Sequence, residues 1–291
     1  MPRLSERQLA LLLTFPLLFL QFAICIYPII YSLWLSFTNA SLLSTTMEFV
    51  GFSQYAKIFK DAFMRQTSLV TARFVAESTL LIVGLALLMA LILNQPIRGR
   101  SILKVVVILP WALSEFAVAI AGRFFLDRNY GFLNVLLMKL GLIKEGIYFL
   151  DAPFAVEWLS LFFAWNVAPL GAYFILSALQ TIPMDLYKQA RIDGASAFTR
   201  FRVVTLPFIR YALLMTMLLA TILSATSIVL AFGLTGGGPG LASTPITLYD
   251  FRVFFYNGDY GYGAAISWLL LIIALALATA YFIALTRRRR G

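Results

Sequence analysis

The chain of 291 residues is 61% hydrophobic and only 12% charged, with a mean hydropathy of +0.88. An ordinary soluble domain is about 45–50% apolar and about 25% charged, so lipid rather than a larger core must take up this apolar surface. The formal charge of +10 accompanies no RNP-like or zinc-finger pattern, and its basic residues flank apolar runs, so it reads as membrane orientation and no nucleic-acid partner is expected. One cysteine, Cys25, and no histidine exclude a disulfide framework, imidazole catalysis and the commonest metal sites, and no catalytic or metal-ligating residue is assigned.

A helix needs about 20 mostly apolar residues to cross about 30 Å of hydrocarbon. In chain order, Leu9–Phe37, Val70–Asn94, Val105–Phe125, Phe154–Leu179, Phe208–Phe232 and Tyr262–Leu285 qualify, and the fold class expected is all-α, a polytopic membrane protein with six transmembrane helices. The first run has a basic start but no small-residue cleavage site after a short apolar core, so it reads as a retained span. Arg73, Glu77 and Glu157 weaken the outer ends of the second and fourth runs. The ten-residue alternation of a membrane barrel is missing.

Basic residues set the orientation. Arg3 and Arg7, then Arg98, Arg100 and Lys104, then Lys188, Arg191, Arg200, Arg202 and Arg210, and finally Arg287 to Arg290 share one side with only three acids, Glu6, Asp185 and Asp193. By the positive-inside rule that side is cytoplasmic, with both termini inside. The Arg287–Arg290 cluster reads as a stop-transfer and anionic-lipid anchor.

The cytoplasmic connection from Gln180 to Pro207 is far longer than the usual 2–8 residues between helices. Pro183 and Asp185 suit the start of a short helix, Leu186, Ala190 and Ile192 are apolar among Lys188, Arg191 and Asp193, and Gly194 permits a turn before helical character resumes over Ala195 to Phe201. Two readings share these features: an elbow inserted into a groove on a soluble partner, or an amphipathic segment resting on headgroups.

The string Ile182-Pro183, Leu186-Tyr187, Ala190, Ile192-Asp193-Gly194-Ala195 and Thr205-Leu206-Pro207 resembles the cytoplasmic loop of binding-protein-dependent ABC importer permeases, in particular the sugar-uptake branch. Arg98-Gly99-Arg100 with Ile108-Leu109-Pro110, the turn Gly131-Phe132-Leu133-Asn134, the loop Leu234-Thr235-Gly236-Gly237-Gly238-Pro239-Gly240 and the stretch Gly261-Tyr262-Gly263-Ala264-Ala265 agree with that family in the same order. The resemblance implies a type I ABC importer permease fold in one transmembrane domain over residues 1–291, with its core at about 70–285 and its coupling loop at about 183–206. It implies a non-catalytic subunit that translocates a mono-, di- or oligosaccharide in a prokaryotic cell membrane. The partners it implies are a cytoplasmic ABC ATPase dimer, which would use the ATP and Mg, a second homologous permease subunit and an extracytoplasmic sugar-binding protein, besides membrane lipid. Leu186, Tyr187, Lys188, Ala190, Asp193, Gly194 and Ala195 are the ATPase-coupling residues it implies. Where the family opens this loop with Glu-Ala-Ala, the chain has Lys188-Gln189-Ala190, so Lys188 inherits a position but not its charge.

This chain itself is expected to bind no cofactor: Thr235 to Gly240 lacks the Gly-Lys-Ser/Thr ending and the preceding strand of a phosphate loop. Polar groups within apolar spans usually face a bundle interior or a wet cavity, and Asn166, Ser224, Thr226 and Ser227 are uncharged groups suited to sugar hydroxyls, with interhelical bonding as their competing role. The resemblance to the maltose permease implies a substrate path along Asn166, Leu170, Leu223, Ser224 and Ser227. Glu115, about 16 Å along a helix from Lys104, falls near mid-membrane and is a candidate by default, or else a buried acid bonded where Pro110 frees backbone groups. A functional Glu115 would favour the rival reading, a proton-coupled secondary transporter, although no internal repeat relates the two halves. A non-transporting scaffold is a further rival.

Overall fold

The structure is a computed structural model describing residues 5–44 and 46–287; the Arg288–Arg290 part of the basic tail lies outside them. Helices α1 (Glu6–Gln21) and α2 (Tyr27–Leu35) run on through a wider π-turn at Phe22–Ile26. Then come α3 (Ser53–Lys60) and the long α4 (Ala62–Leu93), followed by α5 (Arg100–Ala112) and α6 (Glu115–Phe125), which are bent by 92°. Next are α7 (Phe132–Lys139), α8 (Ala155–Leu179), α9 (Met184–Ile192), α10 (Ala197–Arg200) and α11 (Leu206–Thr226). Short helices α12 (Val229–Leu234) and α13 (Ile246–Phe251) precede α14 (Tyr260–Arg287). Among the described residues the only β pairing is an isolated bridge between Thr38 and Phe49. The fold is all-helical, with five helices long and apolar enough to span a membrane and a sixth if the bent α5–α6 pair counts as one.

Two differences from the hydropathy reading matter for function. The third run, Val105–Phe125, is not straight: Leu113 and Ser114 are extended (ψ 141° and 144°), and Ser114 restarts the helix by accepting the Ala117 N–H at 3.2 Å. The fifth run does not start at Phe208 or reach Phe232 as a single helix. It is helical from Ala197 through a π-turn at Phe201–Thr205 to Thr226, then breaks at the extended Ser227 before α12. Averaged hydropathy is blind to both breaks, because the single serine at each is diluted by the apolar residues around it.

The described residues fall into two compact units, Met1–Asp61 with Asp250–Ile272, and Ala62–Tyr249 with Ile273–Gly291. In the first, Gln54 donates its amide to the Thr38 carbonyl (2.9 Å), Lys57 pairs with Asp259 (2.8 Å), and Tyr262 donates to Asp61 (2.6 Å). A β-carbon at Gly261 would sit 2.2 Å from the Thr38 carbonyl oxygen, so this glycine permits the close approach. Asp250, in the short α13 between spans, accepts from the Ser267 hydroxyl, and burial pushes its carboxyl up to about 7 against that hydrogen bond. No residue in the most apolar window of the first span is buried.

The second unit is built around α8, whose apolar window is two-thirds buried. Small residues let the backbones of α4 and α8 approach, with Ala86, Ala90, Ala164, Ala168 and Ala172 all buried; between apolar helices in lipid, such packing replaces water exclusion as the cohesive force. Phe74 and Phe163 meet edge-to-face at 5.4 Å in the same layer. Arg73, Glu77 and Glu157, the charges that weaken two apolar runs, pair with each other: Arg73 Nε lies 2.7 Å from Glu77, the other end of the guanidinium meets Glu157, and Ser160 donates to Glu77 at 3.2 Å.

Candidate functional site

The connection between α8 and α11 is a folded elbow. Pro183 precedes α9 and lacks the N–H that a helix start leaves unpaired, while Asp185 supplies an acid to its first turn. Gly194 ends the helix at φ +76°, and the Ala195 N–H reaches back to the Ala190 carbonyl at 2.9 Å. Ser196 then caps α10 by accepting from the Thr199 N–H at 3.2 Å.

The implied coupling residues divide between two faces. Leu186, Tyr187 and Ala190 pack against the core of the bundle, and the Tyr187 hydroxyl lies 2.9 Å from the Thr205 hydroxyl, at the foot of α11. Lys188, Asp193 and Gly194 are exposed, and Ala195 is half-buried. Lys188 forms an exposed ion pair with Asp185 at 2.8 Å, so the nearby acid compensates the lysine within the elbow itself. Sequence reasoning missed Met184 and Phe198, which with the apolar Ile192 form the apolar part of the outward surface. The spacing of Met184, Lys188 and Ile192 at i, i+4, i+8 was the available signal, since it puts them on one helix face. Thr205 stands in the Thr205-Leu206-Pro207 string, but nothing local in the sequence marks its bond to Tyr187.

Deeper in the bundle, the two helix breaks meet. The buried Asn166 on α8 donates to the carbonyls of Pro110 (2.6 Å), which also accepts the Leu113 N–H at 3.3 Å, and of Leu113 (3.3 Å), at the bend. Ser227, at the break after α11, donates to Glu115 at the first residue of α6 (3.0 Å), and its own carbonyl accepts from Thr247 (2.7 Å). Glu115, Asn166 and Ser227 are thus brought together, and the task of satisfying the backbone near Pro110 falls to Asn166 rather than to Glu115. The Ser224 hydroxyl is turned onto its own helix, donating to the Ala220 carbonyl at 2.7 Å. Leu170 borders a gap of about 10 Å³ with Gly171 and Thr216, and Leu223 packs against the core. Beyond the breaks, α6 and α12 lie against each other so tightly that a β-carbon on Gly233 would sit 2.7 Å from that of Ala119.

On the far side of the bend, Asn134 holds the connecting loop by donating to the carbonyls of Asp127 and Ile147 (both 3.0 Å) and accepting from the Ile147 N–H (2.8 Å). The N–H of Asn129, followed by that of Tyr130, holds the Asp127 carboxyl below the usual carboxylate range. In the glycine-rich loop, Thr235 accepts from the Gly237 N–H (3.0 Å) and the Ser243 hydroxyl (2.7 Å), a self-contained turn. Among the described residues no three His, Cys, Asp or Glu side chains converge on a common point.

Residues 82–290 match one family, described as the binding-protein-dependent transport system inner membrane component. The chain belongs to this family. As a member it is a multi-pass membrane protein and a permease subunit. It is 34% identical to the trehalose/maltose transport system permease protein MalF of Thermococcus litoralis over 95% of this chain and 93% of that one. It is 30% identical to the sulfoquinovosyl glycerol transport system permease protein SmoG of Agrobacterium fabrum, over 96% and 90%. A solved bacterial ABC transporter involved in the import of alginate matches this permease with a TM-score of 0.77 at 21% identity, covering 97% of this chain and 96% of that one, a likeness of fold.

Proposed function

We propose that this permease translocates a sugar in a prokaryotic cell membrane, that both termini are cytoplasmic, and that the sugar is delivered from outside by a soluble binding protein. The trehalose/maltose relative, aligned over nearly the whole chain, supports the substrate class. The distribution of basic residues supports the orientation. The outward side of the elbow, with Met184, Lys188, Ile192, Asp193, Gly194 and Phe198, forms the docking surface for a cytoplasmic ABC ATPase dimer that uses ATP and Mg. Leu186, Tyr187 and Ala190 seat the elbow on the bundle, and a second homologous permease subunit completes the pathway. This chain carries no nucleotide chemistry.

One observation carries the mechanism: the helix from Ala197 to Thr226 is continuous. At 1.5 Å per residue it is a rod about 45 Å long, running from the elbow to the break at Ser227. Tyr187 ties α9 to its lower part through Thr205, and Ser227 ties its upper end to Glu115. Movement of α9 and α10 as the ATPase closes is therefore delivered to the place where two spans already bend. Packed helices resist compression and switch between discrete arrangements, so the displacement is taken up at those bends. The sugar path runs past Asn166, Glu115 and Ser227, with Leu170 and Leu223 as apolar wall and Ser224 bonded into its helix until the path opens.

The test is twofold. Replacing residues 186 to 201 by a Gly/Ser tether abolishes co-purification of the ATPase; retention of a tight complex overturns the coupling role. Uptake of the delivered sugar stops on ATP depletion and continues when the membrane potential is collapsed; the opposite pattern favours a proton-coupled carrier with Glu115 as its proton site.

A further inference from the structure

The short helix α3 (Ser53–Lys60) is held level with the ends of two spans. Tyr55 brings its hydroxyl within 2.8 Å of the Ser36 hydroxyl, one residue past the first span, and Gln54 donates to the Thr38 carbonyl (2.9 Å) just beyond. Lys57 pairs with Asp259 (2.8 Å), the residue before the last span, and its ammonium stands 4.1 Å from the centre of the Tyr262 ring inside that span. Only Asp61 separates α3 from Ala62, where another span begins. Spans end where hydrocarbon gives way to headgroups, so these ties place α3 at that boundary.

At about 100° per residue, the surface of α3 divides into three stripes. Gln54 and Ile58 are buried against the protein. On the opposite side Phe52 (73% exposed), Ala56 and Phe59 (84% exposed) form an apolar stripe that this chain leaves open. Along one edge Ser53, Lys57 and Lys60 are exposed. Phenyl rings turned outward in this way mark an interaction surface. Aromatic rings concentrate at both membrane–water interfaces, and lysines beside them extend their charge to water while their stems cover apolar surface. Protein on one side, lipid on the second and water on the third are the neighbours of a helix lying flat in the interface. A soluble partner would have to reach down to the level of the span ends, where lipid is already in place.

We propose that α3 is an interfacial anchor whose partner is the phospholipid surface. Phe52, Ala56 and Phe59 lie among the headgroups and upper acyl chains, and Lys57 and Lys60 lie on the water side. Zwitterionic lipid suffices, because apolar rings rather than a charge pair make the contact. The anchor fixes the depth of three span ends: the first through Ser36, the last through Asp259, and the one at Ala62 through Asp61. The inference depends neither on the sugar reading nor on which side of the membrane α3 occupies.

The experiment uses the assembled importer in phosphatidylcholine liposomes. The aromatic photo-crosslinker p-benzoylphenylalanine is placed at Phe59 or, as a control on the polar stripe, at Ser53, and the products of irradiation are identified by mass spectrometry. The expected result is a phospholipid adduct on this chain from position 59 and none from position 53. Equal lipid adducts from both positions overturn the proposal. So does a crosslink from position 59 to another subunit or to an added binding protein, which identifies a protein as the occupant. A second variant, Phe59→Trp, keeps a ring in place and reports its depth. Relative to the unsubstituted importer, its added fluorescence is expected to be lost more to phosphatidylcholine brominated near the headgroup end of its chains than to lipid brominated near their tips. Quenching by aqueous iodide but by neither brominated lipid places the ring in water and overturns the anchor, and stronger quenching from the chain tips overturns it as well.

Discussion

The hydroxyls of Tyr187 and Thr205 lie 2.9 Å apart, joining the elbow helix α9 to the base of the rod that runs up to Ser227. A single hydrogen bond of this kind is worth about 0.5–1.5 kcal/mol net. Tyr187→Phe keeps the ring packed and removes only the tie, so it should leave ATPase co-purification unchanged while sugar uptake falls by about 2- to 10-fold at the same ATP hydrolysis rate. Thr205→Val should do the same, and the double variant should be no worse than either single one. Uptake and hydrolysis measured on the same proteoliposomes check this; additive losses would mean that the two hydroxyls act separately.

The exposed Asp185–Lys188 pair contributes little to folding, since exposed ion pairs are worth about 0–1 kcal/mol. Lys188→Glu should therefore leave thermal stability nearly unchanged, yet it places two acids side by side on the outward face of α9. Weaker ATPase association, with a changed dependence on salt, is the expected outcome, and an ATPase pull-down across a salt series measures it.

Asn166 is 4% exposed and serves two carbonyls at the bend between α5 and α6, of which Pro110 also accepts the Leu113 N–H at 3.3 Å. Asn166→Leu fills similar space without a donor and strands the Leu113 carbonyl in an apolar bundle, at a cost of about 1–3 kcal/mol, while Pro110 keeps the longer bond from the Leu113 N–H. The purified variant should melt at lower temperature. Ser227→Ala, which removes only a donor to the half-exposed Glu115, should cost less.

Much of this arrangement was legible in the sequence, for reasons that differ by element. Apolar runs such as Ala155–Leu179 announce themselves because the bilayer demands length and composition together. The elbow was legible through Pro183, Gly194 and the polar punctuation between them, all of which act locally. The bend at Leu113 was not, because what stabilises it is an amide 53 residues away on another helix. The closing of Arg73 on Glu157, 84 residues apart, was hidden in the same way, and the charges registered only as flaws in two spans. Ser224 and Ser227 are indistinguishable by composition. One lies within α11 and bonds to its own helix, while the other lies just past its end and is free to reach Glu115.

Gly171 lies where α8 meets α11, and a β-carbon there would stand 2.5 Å from Thr216 Cγ2. Gly171→Ala should destabilise by about 1–3 kcal/mol, the usual range for overpacking. Thr216→Ser deletes that methyl while keeping the hydroxyl that donates to the Ala212 carbonyl at 2.8 Å. The double variant should recover most of the loss, with a remainder from the Ala86 β-carbon, 3.1 Å from the same point. A double-mutant cycle on thermal stability tests the coupling directly.

Asp250 gives a prediction in pH. Burial raises its carboxyl to about 7 in the folded protein, against an ordinary value of 3.8, with the Ser267 hydroxyl opposing the shift. The folded state consequently holds a proton that the unfolded state releases, and the neutral acid is the form the fold accommodates. Stability from this residue is intact below pH 4 and declines as pH climbs from about 4 to about 7, because folding then requires either uptake of a proton or burial of a charge. Asp250→Asn keeps the shape and stays neutral throughout. Its melting temperature, relative to wild type, should rise progressively across that window and level off above pH 7, where the gain is greatest. A melting profile recorded from pH 4 to pH 8 checks the sign; a variant whose advantage is greatest at the acid end would show that the wild-type carboxylate is charged and paired when folded.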